Sequence, residues 1–311
     1  MDAESRPALS VVIAIVSDTT EPRARVDHVV RCLEGFRNQI DAPPTELIVP
    51  YHDAVDGIEQ VIELFPEVRF LPVASAPGAG ADAGRAHHDV LRAQGLLAAQ
   101  GEIVALVEDH ARPDEHWCAA VVAAHRADFA AIGGAMDNDV DRALNWAVYF
   151  CDFGRYQNPL PDGESQIASD ANVSFKRPAL RAIQSTWEES FREIIVNGEL
   201  MARGERLGLS PEIVMFQNRR GLTLGVALRE RFQWGRSYAG IRNALLSSPQ
   251  RLVYALLAPL LPVLLTLRMT RTAWARRRRF GRFVRALPLV VLLQVSWSLG
   301  ESVGYVLGGG E

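Results

Sequence analysis

The chain has 311 residues, 48% of them hydrophobic, and a formal net charge of −4. That content excludes a disordered polypeptide, and the acidic balance speaks against a nucleic-acid partner. The length suits one large domain or two smaller ones around a sizeable core.

The charge is unevenly spread: Arg268 to Arg285 holds eight arginines and no acid, and Lys176 is the only lysine. Cys32, Cys118 and Cys151 form no C-x-x-C pair, which points to a reducing compartment and away from structural zinc. The opening "MDAESRPALSVVIAIVSD" has acids ahead of its apolar run, and reads as a first strand rather than a secretory signal.

In chain order, "LSVVIAIVS" (9–17), "TELIVPY" (45–51), "VRFLPVA" (68–74) and "IVALV" (103–107) read as strands. Their β-branched runs lack polar alternation, as expected of parallel strands covered on both faces. Residues 23–40 place Val26, Val29, Val30, Leu33 and Phe36 at helical spacing, and 83–100 reads as a second helix. Strand and helix alternating in this way predict an α/β fold with a doubly wound, mainly parallel sheet flanked by helices. Residues 128–137 read as a further strand and turn, and 155–171, rich in Gly, Pro and polar residues, as an active-site loop.

Ligands of open parallel sheets gather beyond the carboxyl ends of the strands. Asp18, His52 with Asp53, and Glu108-Asp109-His110 all lie just past such ends. Alternation puts Glu108 and His110 on one side and Asp109 on the other. Their oxygens and imidazole suit Mn²⁺ or Mg²⁺ completed by a nucleotide diphosphate. His87-His88 read as surface or helix-packing positions, and His116-Trp117, after "RPDE", are given no chemistry.

The stretch "LRAQGLLAAQGEIVALVEDH" resembles the family 2 glycosyltransferases, which have an A-R-N-x-G helix, then G-E, a strand and D-x-D. On that pattern Arg92 takes the place of an arginine near the nucleotide, Gly95 and Gly101-Glu102 match, and Glu108 and His110 fall on the two acids. His110 departs from the family there. "AIGGAMD" is similar to the family's Gly-Gly strand end, and "SDANVSFKRPAL" to its G-A-N-x-x-x-R-R segment near the acceptor pocket. In "FREIIVNGELMARGERLGLSP" Glu193 inherits the place of the catalytic base, with Glu188, Glu189 and Glu199 nearby. "RERFQWGRSYAG" loosely resembles the Q-x-x-R-W element, which would bring Trp234 and Arg236 over the diphosphate.

The resemblance implies a GT-A fold over about residues 9 to 240, and an inverting transfer of sugar from a nucleotide diphosphate donor to an acceptor hydroxyl. Glu193 would be the base, Arg92, Trp234 and Arg236 would meet the donor, and Asp18 and Asp53 would line the nucleotide cleft. "VPYHDAVDG" departs from the family's V-D-D-x-S strand end.

From residue 249 the character changes, dividing a catalytic part, 1–248, from a hydrophobic helical tail, 249–311. "LVYALLAPLLPVLLTL" (252–267) has 16 residues and as a helix reaches about 24 Å, short of the roughly 30 Å hydrocarbon core. Residues 286–307 number 22 and reach about 33 Å. The arginines between these blocks belong in the cytoplasm, beside a domain that uses a nucleotide sugar. These constraints point to attachment through 252–307 at the cytoplasmic face of the cell membrane, the first block re-entrant or interfacial because its prolines break it. The second block then spans, or returns as the other limb of a hairpin. Glu301 should face protein, and Gly300, Gly304 and Gly308 allow close helix contact in a hairpin or a homo-oligomer. A membrane location favours a glycan or lipid-linked acceptor of the cell envelope. Two rivals are a non-catalytic membrane scaffold with a degenerate transferase fold, and a dinucleotide enzyme using Gly78, Gly80 and Gly84, whose G-x-G-x-x-x-G is one residue too long.

Overall fold

The computed structural model describes residues 6–17, 24–52, 55–74, 84–169, 171–243 and 246–308. The chain forms two compact units, Met1–Gly80 with Arg85–Asp137 and Leu160–Asn218, and Ala81–Gly84 with Asn138–Pro159 and Arg219–Glu311.

The first unit begins with β1 (Leu9–Ala14), a two-residue strand β2 (Ala24–Arg25), α1 (Val26–Arg37), β3 (Thr45–Tyr51), β4 (Val55–Asp56), α2 (Ile58–Leu64) and β5 (Arg69–Pro72). It continues through α3 (Gly84–Ala98), β6 (Ile103–Glu108), β7 (Ala111–Pro113), α4 (Trp117–Ala124) and β8 (Ala131–Asn138). Strands β3, β1 and β6 pair in parallel, with β5 parallel at the edge of β3. Every residue of β1 is buried, as an uninterrupted apolar run requires. The edge strand β5 is partly exposed along its length and shorter than the run predicted for 68–74.

Glycines set how closely α3 approaches the sheet. A Cβ on Gly95 would lie 2.3 Å from Val12 Cγ1, and one on Gly101 would lie 2.5 Å from the Ser10 nitrogen. The Gly101 N–H donates to Ser10 Oγ at 2.6 Å, and Ser10 in turn donates to Glu46.

Beyond β6 the sheet turns antiparallel. The second unit takes α5 (Ala143–Phe153), and the chain then supplies β9 (Gly163–Ser165), β10 (Asn172–Lys176), α6 (Arg177–Ala182), α7 (Glu193–Ala202) and β11 (Leu207–Gln217). The sheet order is β5-β3-β1-β6-β10-β8-β11-β7, with β9 on β11. Asn172 joins this half. Its Nδ2 donates to the Ala135 and Ile213 carbonyls, both at 3.0 Å, and its Oδ1 accepts from Trp117 Nε1 at 3.1 Å. Gly134 makes room, since a Cβ there would lie 2.3 Å from Asn172 Nδ2. The A-N and Gly-Gly motifs therefore meet as one buried clip holding three strands and α4.

The second unit is helical, with α8 (Leu224–Asn243), α9 (Ser248–Leu257), α10 (Leu261–Arg276) and α11 (Phe280–Leu307) added to α5. The apolar run predicted over 252–267 lies in a longer helical stretch, Ser248–Arg276, of 29 residues. Its prolines do not end it, because Pro249, Pro259 and Pro262 fall at the first positions of successive segments, where no backbone donor is needed. Gly300 and Gly304 do permit close contact, and the partner is α8. Their Cβ atoms would lie 2.0 Å from the Phe232 carbonyl oxygen and 2.5 Å from that of Arg236. Glu301 faces protein, accepting from Tyr305 Oη and Trp297 Nε1, both at 2.9 Å.

Candidate active site

Strand β6 ends at Glu108, and Asp109-His110 make the two-residue turn into β7. The Asp109 N–H donates to the Ala14 carbonyl at 3.0 Å, and the Asn218 N–H to that of His110 at 2.8 Å. The tip is therefore clamped by both neighbouring strand ends. Its side chains divide by alternation. Asp109 is fully buried and accepts the Val16 N–H at 2.9 Å through Oδ1. Glu108 and His110 share the other side, with His110 Nε2 3.4 Å from Glu108 Oε2.

Arg92 completes a chain of charge. Its Nη2 meets Glu108 Oε1 at 2.9 Å and its Nη1 meets Asp89 Oδ1 at 3.0 Å, with all three side chains largely buried. Asp89 was not singled out by sequence reasoning. The available signal was the i, i+3 spacing of Asp89 and Arg92 on α3, which also describes ordinary surface pairs. Asp89 reaches further, to Arg192 Nε at 4.0 Å, while its carbonyl accepts the Phe191 N–H at 3.0 Å. The segment leading into α7 is thus docked on α3, one helical turn from Arg92.

Glu193, the first residue of α7, lies half-buried directly after this docked segment. Its rivals are differently placed. Glu188 accepts from Gln184 at 2.9 Å, Glu199 pairs with Arg203 at 2.9 Å, and Glu189 is exposed.

Two polar atoms at the tip, Asp109 Oδ2 and His110 Nδ1, are buried with no hydrogen-bond partner among the described residues. His110 Nδ1 stands 3.6 Å from Asp109 Oδ1, which is ion-pair distance but long for a hydrogen bond. Burial pushes the Asp109 carboxyl up, but the His110 imidazole, the Ser17 hydroxyl and the Val16 N–H outweigh it and hold the group below the usual range. His28, also missed from the sequence, lies buried on α1. Burial dominates there and lowers its pKa to about 4, opposed by Asp109 and reinforced by His110.

The structure brings together Arg92, Glu108, Asp109 and His110, with the approach to Glu193 beside Asp89. Trp234 and Arg236 lie on α8 in the helical unit, Trp234 under the Arg231 guanidinium at 5.3 Å and Arg236 donating to the Gly308 carbonyl at 3.2 Å. Asp18, Asp53 and the glycine positions Gly78 and Gly80 lie outside the described residues. His52 and His87 pack edge to face with centroids 4.0 Å apart.

A parallel βα half followed by antiparallel strands, with an acidic tip between β6 and β7, defines a fold of the GT-A glycosyltransferase class. The chain is similar to the mannosyltransferase PcManGT from Pyrobaculum calidifontis, solved with GDP-Man and Mn²⁺, at 15% identity over 98% of this chain and 88% of that one, with a TM-score of 0.50. It also matches S. aureus TarS (12% identity, 72% and 65% covered, TM-score 0.46) and GalNAc-T7 (12%, 70% and 45%, TM-score 0.49). No protein-family model matches the chain, and no curated protein sequence does.

Proposed function

We propose that this protein is an inverting glycosyltransferase of the family 2 type. In this reading it moves a sugar from a nucleotide diphosphate to a hydroxyl of a glycan or lipid-linked acceptor of the cell envelope. Residues 1–248 would form the catalytic part, and 249–311 a tail attached at the cytoplasmic face of the membrane. The observation that carries the reading is the buried chain Asp89–Arg92–Glu108–His110 at the carboxyl end of β6, with the start of α7 docked on it.

In the transfer, the acceptor oxygen bonds to the anomeric carbon as the bond from that carbon to the diphosphate breaks. The acceptor proton passes to a carboxylate, the role given to Glu193. Arg92 supplies fixed positive charge for the diphosphate, and Trp234, Arg236, Asp18 and Asp53 are assigned to donor binding.

Among the described residues no group of three or more histidine, cysteine or acidic side chains is gathered to hold a metal ion. A divalent cation at the tip would therefore rest on Glu108 and His110, with the donor's diphosphate completing its shell. Glu108 and His110 offer a carboxylate and an imidazole on one side of the strand, and among the described residues the His110 Nδ1 and Asp109 Oδ2 atoms find no hydrogen-bond partner. Counting Asp89, Glu108 and Asp109 against Arg92, the cluster keeps net negative charge when His110 is neutral. Oxygen and imidazole donors fit Mn²⁺ or Mg²⁺, with Asp109 holding the tip from behind. When bound, the cation offsets charge developing on the leaving diphosphate. The mannosyltransferase of like fold, complexed with GDP-Man and Mn²⁺, supports both donor class and metal.

Thermal unfolding with UDP, GDP or TDP, each with and without Mn²⁺, tests donor and cation together. One nucleotide should raise the midpoint by several degrees, and further with Mn²⁺. No shift under any of these conditions counts against the reading.

A further inference from the structure

The outward faces of α9, α10 and α11 are apolar, and the turn between α10 and α11 is rich in arginine. In the stretch 248–276, Leu256 is 70% exposed and Val263 61%, with Leu252, Leu260, Leu264 and Leu267 beside them on the same outward side. Helix α11 adds Val284, Val291, Val295, Leu299 and Val306, spaced along a single exposed stripe. Its inward side mixes buried apolar residues, Phe283, Ala286, Val290 and Leu293, with side chains that hydrogen-bond to neighbouring segments. Ser298 donates to the Ala258 carbonyl at 2.6 Å and Ser296 to that of Leu228 at 2.7 Å. Between residues 248 and 308 the only acid is Glu301, which is buried against Tyr305 and Trp297. Arg268, Arg271, Arg277 and Arg285 are exposed around the turn joining α10 to α11.

The hairpin is fastened at both ends to helices that carry ionised groups. At the arginine turn, Arg282 pairs with Asp141 at 3.2 Å and lies over Trp146 at 4.7 Å, and Phe283 packs on Phe150 at 5.0 Å. At the far end, Gly300 and Gly304 lie against the α8 backbone, and Asn243 donates to the Gly304 carbonyl at 2.8 Å. Helices α5 and α8 are themselves joined by the buried Arg231–Asp152 pair. Were α11 to cross a bilayer, α5 and α8 would be dragged into hydrocarbon with Asp152, Arg231, Arg219 and Glu230. Nor can the turn lie across a membrane from α5, which holds it.

We infer that the helical unit docks in the plane of an anionic lipid bilayer. Residues 248–276 and α11 lie in the boundary between headgroups and acyl chains, and the exposed arginines meet lipid phosphates. Length and hydropathy alone would permit crossing; the packing on α5 and α8 decides for lying on the surface. A second copy is a poorer occupant, because residues 248–308 present no exposed acid to another copy's arginines and the neighbouring Asp141 is paired with Arg282, whereas anionic headgroups answer them. The inference deepens the membrane reading and is independent of sugar transfer.

The test is flotation of the full chain with phosphatidylcholine vesicles, alone or mixed with phosphatidylglycerol. The anionic mixture should bind at least about tenfold more tightly, with the excess screened by salt. Replacing Arg268, Arg271, Arg277 and Arg285 with Gln should remove that preference. Leu256→Ser with Leu260→Ser and Leu264→Ser should weaken binding to both vesicles, and all these side chains are exposed, so folding is spared. Topology is read separately, by an impermeant maleimide on vesicle-bound Ser248→Cys and Gly281→Cys chains with peptide-level detection. Both positions should label without detergent. A turn protected until detergent is added would overturn docking in favour of crossing while keeping the membrane reading. Absence of vesicle binding, with concentration-dependent self-association instead, would overturn both.

Discussion

Each unit buries arginine against carboxylate, and the two do it differently. In the helical unit Arg219 meets both oxygens of Glu230, at 2.8 and 2.5 Å, and Arg231 pairs with Asp152 under Trp234. The first is a fork-and-carboxylate pair, and the second meets one carboxylate oxygen. In the sheet unit one guanidinium is divided between Asp89 and Glu108, and each of those carboxylates reaches another group, Arg192 or His110. The Arg231–Asp152 pair ties α5 to α8. A divided arginine leaves a relay whose members can exchange partners when a charged ligand arrives. Buried charge occurs in both units, and the proposed site rests on the shared arrangement at the strand end.

The largest effect expected concerns the far end of that relay. Glu193→Gln should lower transfer by about 10²- to 10⁴-fold, the usual range for losing a general base, while donor affinity stays within about twofold. Calorimetric donor binding beside a transfer assay measures both, and near-normal turnover would remove Glu193 from its role.

Arg92→Met and Arg231→Met sharpen the comparison itself. Each strands a buried carboxylate and should cost about 3–5 kcal/mol in denaturant unfolding. Only Arg92→Met should also abolish the stabilisation produced by nucleotide. Equal loss of nucleotide response in both variants would erase the distinction between the two units.

How much of this was legible in the chain follows from where the information lies. Strands β1, β3 and β6 were readable because burial on both faces demands an unbroken apolar run, and the split of Glu108 and His110 from Asp109 followed from strand alternation. Of the antiparallel half, β8 was readable in the run 128–137, but the order of its strands was not, because it rests on Asn172 reaching Ala135 and Ile213, a contact invisible in any local window. Asp89 was missed because an Asp–Arg helical spacing looks alike on a surface and in a core. Proline misled over 252–267, where its position at segment starts, not its presence, decides whether helix continues. The spacing of Gly300 and Gly304 announced a close partner, but only tertiary structure names α8.

A third effect sets the sheet interior against the tip. His125 is buried with Nε2 2.8 Å from Ser174 Oγ, and burial, aided by Lys176, lowers its pKa to about 4. The unfolded chain takes up this proton near the model-peptide value of about 6.5, ahead of the folded one. Its contribution is therefore fully present above about pH 6.5 and is lost as pH falls toward 4, a total on the order of 3 kcal/mol. His125→Gln should flatten that part of the stability–pH profile in urea unfolding. An unchanged slope would mean that this histidine is not held neutral.

The smallest effect separates packing glycines from idle ones. Gly134 has Asn172 where its Cβ would go, so Gly134→Ala should destabilise by about 1–3 kcal/mol through overpacking. Gly198, inside α7, has nothing within 4 Å of its Cβ position. Gly198→Ala should therefore stabilise by about 0.5–1 kcal/mol, since alanine restricts the unfolded chain and favours helix. Because Gly198 lies more than a helical turn beyond Glu193, the substitution should leave transfer unchanged. If it stabilises α7 and slows turnover, the start of this helix must move during the reaction, and the docking of Arg192 on Asp89 would be one position of a mobile element rather than a fixed feature of the site.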